Sequence, residues 1–288
     1  MKTITDQHPP LLLEYLVKKI NSFSDSSLDA KHQFLTELIQ AHAILSVNFS
    51  STSVFRRARK IDVAYYPESI QDFLWRTDGH AIVGRVNPDG FPVLYVADRA
   101  ETAYREIGID GDVALLVELQ IREGLSCPVA PIGEIMLTQR GHGRFLKGKD
   151  AADFDAMLNA CNPNHAKALL ITDAFLFEQL TRDRVGYQIS SYIAKSIFDK
   201  IPHLSAIAYP SVQHEGAVNF AIKTNHFWNS WSVVAARRQK VDHLACGYYE
   251  TSQTEHVSGI TCGGDLQWAK GEIDNLYSHR LSPAWIPS

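Results

Sequence analysis

A chain of 288 residues, 45% hydrophobic and 21% charged, has the balance of a globular protein and can bury one large core or two modest ones. Its net charge of −4 and the lack of a basic run argue against direct nucleic-acid binding. No apolar segment reaches the roughly 20 residues that span a bilayer. The opening MKTITDQHPP lacks the apolar core of a signal peptide, so a cytoplasmic protein with no membrane partner is expected.

Residues 1–48 read as a helical N-terminal extension. LLLEYLVKKI follows Pro9 and Pro10, and a second helix is expected at SSLD, where Ser26 and Asp29 fit a capping box. Phe34, Leu35, Leu38 and Ile39 form its apolar face. NFSSTS reads as a polar connector. VLYVA, at 93–97, reads as a buried strand, followed by DRAE with Asp98 placed to cap a helix and Glu101 three residues on. DVALLVELQI, at 112–121, is a second strand with Val113, Leu115, Val117, Leu119 and Ile121 on one face. Residues 122–165 read as loop-rich, with QRGHGRFLKGKD polar and punctuated by glycine.

DAFLFEQL and SSYIAKSIFDKI read as helices, the second with Ile189, Ile193 and Ile197 at a spacing of four. SAIAYPS and VNFAIKT read as short strands joined by a turn through VQHEGA. From Asn225 onward the signal weakens, with Trp228, Trp231, Trp268 and Trp285 as its main landmarks. The four cysteines (Cys127, Cys161, Cys246 and Cys262) have no CxxC pair and read as free thiols. Strands interleave with helices, and short strand-to-strand links favour antiparallel pairing. The expected class is α+β.

One stretch carries chemistry. In GRVNPDGFPVLYVADRAETAYREI, Tyr95 lies two residues before the capping turn, about 7 Å back along the strand. Glu106 lies about 12 Å along a helix that doubles back over that strand. NPDG reads as a type I turn with Pro88 second and Gly90 fourth. Such a turn would fold Arg85 towards the same mouth. An arginine fork suits phosphate or carboxylate, a tyrosine ring suits stacking, and a glutamate suits ribose hydroxyls and a developing cation. The set fits a nucleotide with a labile glycosidic bond. The bland alternative is a surface arginine, a core tyrosine and a helix-end glutamate with no common task.

The stretch resembles the signature of the RES domain family. The matching residues are Gly84-Arg85, Asn87-Pro88-Asp89-Gly90, Pro92-Val93-Leu94-Tyr95 and Thr102-Ala103-Tyr104-Arg105-Glu106. A second half follows as Tyr209-Pro210-Ser211 and then Asn219. An upstream arginine would be Arg57 in FRRARK, with Arg56 and Arg59 as alternatives. The resemblance covers about residues 50–225, and the expected domains are 1–48, a catalytic domain at 49–226 and a C-terminal extension at 227–288 packed on the core.

The resemblance implies a split antiparallel sheet similar to ADP-ribosyltransferase domains, with a cleft for NAD. It implies a bacterial toxin that destroys NAD by phosphorolysis or hydrolysis of the nicotinamide–ribose bond, so the chain would be an NAD phosphorylase or glycohydrolase. NAD is then the substrate, inorganic phosphate a candidate co-substrate, and no further cofactor is expected. A helix-turn-helix antitoxin would be the protein partner, and a homodimer is a fair expectation. By the same resemblance Glu106 fixes the ribose and stabilises the cation, and Tyr95 stacks near the nicotinamide ribose. Arg57 and Arg85 clamp the diphosphate or hold incoming phosphate. Ser211 and Asn219 give neutral hydrogen bonds to the substrate or hold the arginines. Two alternatives keep the fold and change the role: a catalytically silent binding module, and transfer of ADP-ribose onto a macromolecule.

Three further features weigh less. His243, Cys246, His256 and Cys262 fall within 20 residues of each other, but their spacing fits no zinc motif, and no metal is expected. RGHGRFLKGK suits a solvated loop better than a phosphate cradle. Ser190 and Ser191 read as helix-surface serines without a role.

Overall fold

A computed structural model describes residues 2–75, 83–182, 186–269 and 280–287. In chain order its elements are α1 (Ile4–Gln7), α2 (Leu13–Asn21), α3 (Leu28–Ala41), β1 (Val47–Ser50), β2 (Val54–Ile61), α4 (Gln71–Leu74), β3 (Val93–Ala97), α5 (Ala100–Glu106), β4 (Asp112–Ile121) and β5 (Ser126–Pro131). There follow α6 (Glu134–Gln139), α7 (Lys149–Asn159), α8 (Pro163–Arg182), α9 (Gln188–Lys200), β6 (Ala206–Pro210), β7 (Val218–Lys223), α10 (Phe227–Ser230), β8 (Trp231–Ala245), β9 (Tyr248–Ile260) and β10 (Leu266–Trp268). The class is α+β. The chain forms two compact units. One comprises Met1–Val47, Ile82–Phe91 and Pro128–Tyr209, the other Asn48–Ala81, Pro92–Cys127 and Pro210–Ser288.

The first unit is mainly helical. α3 buries Phe34, Leu35, Leu38 and Ile39, the face that its 3.6-residue period dictates. Its cap is Ser27, which accepts from Ala30 N at 3.3 Å, one residue beyond the Ser26 of the sequence reading. Residues 122–165 are not loop-rich: they contain β5, α6, α7 and the start of α8. β5 carries two prolines, which weaken a strand signal, yet it pairs in parallel with β6 from Val129–Ala206 to Pro131–Ala208. α7, KDAADFDAMLN, buries only Leu158 on its helical face, so its apolar period is faint. α9 packs Ser190 and Ser191 inward at 0% and 3% exposure, and the Ser191 hydroxyl donates to the Tyr187 carbonyl.

The NPDG turn is shifted by one residue from the expected frame. Phe91 N donates to Pro88 O at 3.2 Å, so Gly90 is third. Its φ of +71° is the left-handed value that favours glycine there.

The second unit is built on an antiparallel sheet. β2 pairs β4 from Val54–Gln120 to Ile61–Val113. β4 pairs β8 along its length, with a bulge at Glu118/Leu119. β3 pairs β7 from Val93–Lys223 to Ala97–Asn219. Among the described residues, Arg56 with Ala97 is the register pair between β2 and β3. The two pairs of strands therefore part beyond that point.

On one face, α5 covers Ala58, Ala97, Ala114, Leu116 and Val241 with Ala103 and Tyr104. On the other face Phe55 meets Phe220 and Trp231 edge to face, with ring centroids 4.9 and 5.1 Å apart, each pair adding about 0.5–1.5 kcal/mol beyond its buried area.

The weak signal after Asn225 hides two long strands, β8 and β9. β8 carries Arg237, Arg238 and Gln239 at largely buried positions, and this masks its alternation. Each has a partner: Arg237 donates to Glu118 at 3.1 Å, Arg238 to Glu255 at 3.1 Å, and Gln239 to the Tyr104 hydroxyl. NFSSTS is not a plain connector, because β1 lies across its start. No helix among the described residues is long and apolar enough to cross a membrane.

Candidate functional site

α5 starts where β3 ends. Asp98 N donates to Val218 O at 3.1 Å, which ties the start of the helix to β7. The N-cap is Arg99 rather than Asp98, and no side chain caps the helix. The Asp98 carboxylate instead accepts from Thr102 Oγ1 at 3.3 Å and lies 3.6 Å from Arg99 Nε. Seven residues later the helix ends at Glu106. Apolar Ala103 and Tyr104 face the sheet, which leaves Glu106 at the rim, exposed.

Register explains what meets Glu106. Residues directly paired across a sheet share a face. The row Asn219–Ala97–Arg56–Glu118 runs across β7, β3, β2 and β4 on the face that α5 covers. Tyr95, paired with Ala221 and two residues from Ala97, lies on that face too and is half-buried.

Asn219 Nδ2 donates to Glu106 Oε1 at 2.6 Å. Ser211 Oγ donates to the same oxygen at 2.6 Å. Both residues are buried, at 6% and 8% exposure. These bonds tie Ser211 and Asn219 to Glu106, a partner that the sequence reading did not name for them. No described residue contacts Glu106 Oε2 through a hydrogen bond.

The arginines divide clearly. Arg56 donates to Val54 O at 3.0 Å and Asp98 O at 2.8 Å and lies 3.9 Å from Glu118 Oε1. Arg59 donates to Asp72 O at 3.0 Å. Arg57 alternates to the opposite side of β2 from Arg56, where β2 and β3 part, and its Nη1 donates to Tyr95 O at 3.2 Å. Its Nε is buried without a hydrogen-bond partner among the described residues. Burial, and then the charge of Arg59, pull its pKa down to about 10. An unpartnered guanidinium N–H in such a place favours an anion brought to it. Arg85 belongs to the first unit. Its Nη1 donates to Leu180 O at 2.6 Å and its guanidinium lies 5.3 Å from the centre of the Tyr187 ring. Its convergence with Tyr95 and Glu106 stays with the functional proposal.

Two residues near Glu106 escaped the sequence reading. Thr102 was quoted in the motif without a task, and His214 was read only as part of a turn. His214 Nδ1 lies 3.1 Å from Thr102 Oγ1. No local signal marks that contact, which spans more than a hundred residues of sequence. His243, one of the four residues weighed for zinc, accepts from Gly247 N at 3.3 Å, and no group of three or more His, Cys, Asp or Glu side chains among the described residues is placed to hold a metal. All four cysteines are free thiols.

A carboxylate at the end of α5 is thus held by a serine and an asparagine that lie more than a hundred residues further along an α+β chain. The RES domain family model matches residues 55–242, most of the chain, and the chain belongs to that family. The match runs past the expected boundary at 226 and takes in most of β8. None of the curated proteins matches the chain.

Proposed function

We propose that this protein is an enzyme that consumes NAD by breaking its nicotinamide–ribose bond. One observation carries the reading: in a RES domain, Glu106 Oε1 takes hydrogen bonds from both Ser211 and Asn219. That arrangement fixes the carboxylate of an exposed residue through one of its two oxygens. Both donors are neutral side chains, so no cation in the described residues competes with the substrate for this carboxylate.

Cleavage passes through an oxocarbenium-like state on the ribose. The C1′–N bond breaks and its electron pair stays on the pyridinium nitrogen, so nicotinamide leaves neutral and needs no strong acid. Glu106 stabilises the positive charge at C1′ and binds a ribose hydroxyl. A new C1′–O bond then forms to phosphate or to water. Tyr95 flanks the ribose. Arg57 and Arg85 hold the diphosphate or the incoming phosphate, where charge-assisted bonds are strong. The role of a toxin held by a helix-turn-helix antitoxin belongs to the same proposal.

The test is product analysis. Purified full-length protein is incubated with NAD, with and without phosphate, and followed by NMR. Nicotinamide with a 1″-phosphate of ADP-ribose identifies a phosphorylase. Nicotinamide with ADP-ribose identifies a hydrolase. Intact NAD in both tubes would overturn the reading.

A further inference from the structure

The turn that carries Ser211 is itself held down, and its fastening leads back to α5. Ser211 N donates to Ala217 O at 3.0 Å and Ala217 N to His214 O at 3.1 Å, closing residues 211–217 into a compact turn. Ser211 Oγ accepts from Gln213 N at 3.2 Å and from His214 N at 2.9 Å. A hydroxyl has two acceptor positions and one proton. With both acceptor positions used by backbone amides, its proton goes to Glu106 Oε1, 2.6 Å away. The direction of that bond is thus set by the turn, and the turn must stay seated for Glu106 to stay aimed.

What seats it is the side chain of His214. Its Nδ1 lies 3.1 Å from Thr102 Oγ1, and Thr102 donates its own proton to Asp98 Oδ1 at 3.3 Å. Asp98 accepts only, so Thr102 is left as the acceptor and His214 Nδ1 carries the hydrogen, an assignment made from the network. Thr102 is fully buried, at 0% exposure. It stands four residues before Glu106, one helical turn away on the same side of α5. The chain Asp98–Thr102–His214 therefore fastens the turn to the helix at one point, and Ser211–Glu106 fastens it at a second.

We infer that Thr102 and His214 are positioning residues, which latch the 211–217 turn to α5 and so keep the Ser211 hydroxyl on Glu106. The inference rests on the functional reading above for its effect on turnover. The latch itself has a test that does not need turnover.

Four variants separate latch from bulk: Thr102→Val, Thr102→Ser, His214→Ala and His214→Asn. Valine keeps the volume of threonine and removes the hydroxyl. The asparagine amide keeps a donor close to where Nδ1 stands. Amide hydrogen exchange of residues 211–217 is read first. Thr102→Val and His214→Ala are expected to speed it by about tenfold or more through local opening, while Thr102→Ser and His214→Asn stay near wild type. NAD turnover is read second. The two breaking variants are expected to lose about three- to tenfold in kcat with KM little changed, no more than removing the Ser211 hydroxyl itself and the signature of a misplaced group rather than of lost binding.

Unchanged exchange in Thr102→Val and His214→Ala would overturn the latch. So would equal losses in His214→Ala and His214→Asn, or faster exchange with wild-type kcat. If wild type itself leaves NAD intact, the functional reading fails, and the exchange data alone decide whether the turn is latched.

Discussion

Two glutamates in this protein are each gripped through a single oxygen, and they are gripped differently. Glu134, in the first unit, is 1% exposed. Its Oε1 accepts from the backbone N–H groups of Arg144, Phe145 and Leu146 at 2.8, 2.7 and 2.9 Å. Glu106, in the second unit, is exposed, and its Oε1 accepts from two side chains. A carboxylate caged by backbone amides organises a loop. One held by side chains on an exposed residue keeps a face open to solvent, and the proposed function uses that face.

The cage around Glu134 accounts for amides of the Gly-rich basic loop, since those of Arg144, Phe145 and Leu146 converge on a buried carboxyl oxygen of the chain itself. Gly143 fits because an added Cβ would lie 2.6 Å from Thr138 Oγ1 and 2.9 Å from Leu146 O.

The largest expected effect comes from emptying the cage. Glu134→Ala takes the acceptor from three N–H groups on half-buried residues, at up to about 1–3 kcal/mol each. The expected result is a protein that unfolds at much lower urea concentration or does not accumulate. Glu106→Gln is expected to leave the urea midpoint almost unmoved and to lower NAD turnover by about 100- to 1,000-fold, the scale of losing one electrostatic stabiliser of a transition state. The contrast sharpens if the two variants are measured together. Ser211→Ala or Asn219→Ala removes one of two bonds to a charged oxygen, each worth about 1.5–3 kcal/mol. Turnover is then expected to fall by about tenfold, less than for Glu106→Gln.

The smallest effect concerns Asp173, beside the cage. It is 3% exposed and accepts from Gly133 N at 3.0 Å and Met136 N at 2.9 Å. Burial first, opposed by those N–H groups and helped by the charge of Glu134, raises its pKa from 3.8 to about 6. The folded state thus holds the proton more tightly than the unfolded chain. Its contribution is fullest below 3.8 and is lost as pH rises through about 6. Relative to Asp173→Asn, wild type should gain about 1 kcal/mol between pH 7.5 and 5 in urea unfolding. A difference that shrinks on acidification would contradict this.

The sequence showed the rim better than the cage. A strand, a turn and a short helix are local patterns, so β3, α5 and the place of Glu106 could be read from residues 93–106. The donors to Glu106 come from more than a hundred residues away, and only the motif resemblance brought Ser211 and Asn219 into view. Their shared grip on one oxygen depends on sheet register, which no local pattern encodes. The cage was illegible for a related reason: Glu134 looks like a surface residue until the loop that covers it is folded. β8 was missed because its buried arginines read as polar until Glu118 and Glu255 are placed beside them.

The most direct measurement sets wild type beside Glu106→Gln, with NAD loss and the urea midpoint read on the same preparations. The account expects wild type to release nicotinamide and Glu106→Gln to do so about 100- to 1,000-fold more slowly at an almost unchanged midpoint. A folded Glu106→Gln protein that consumes NAD at the wild-type rate would contradict it.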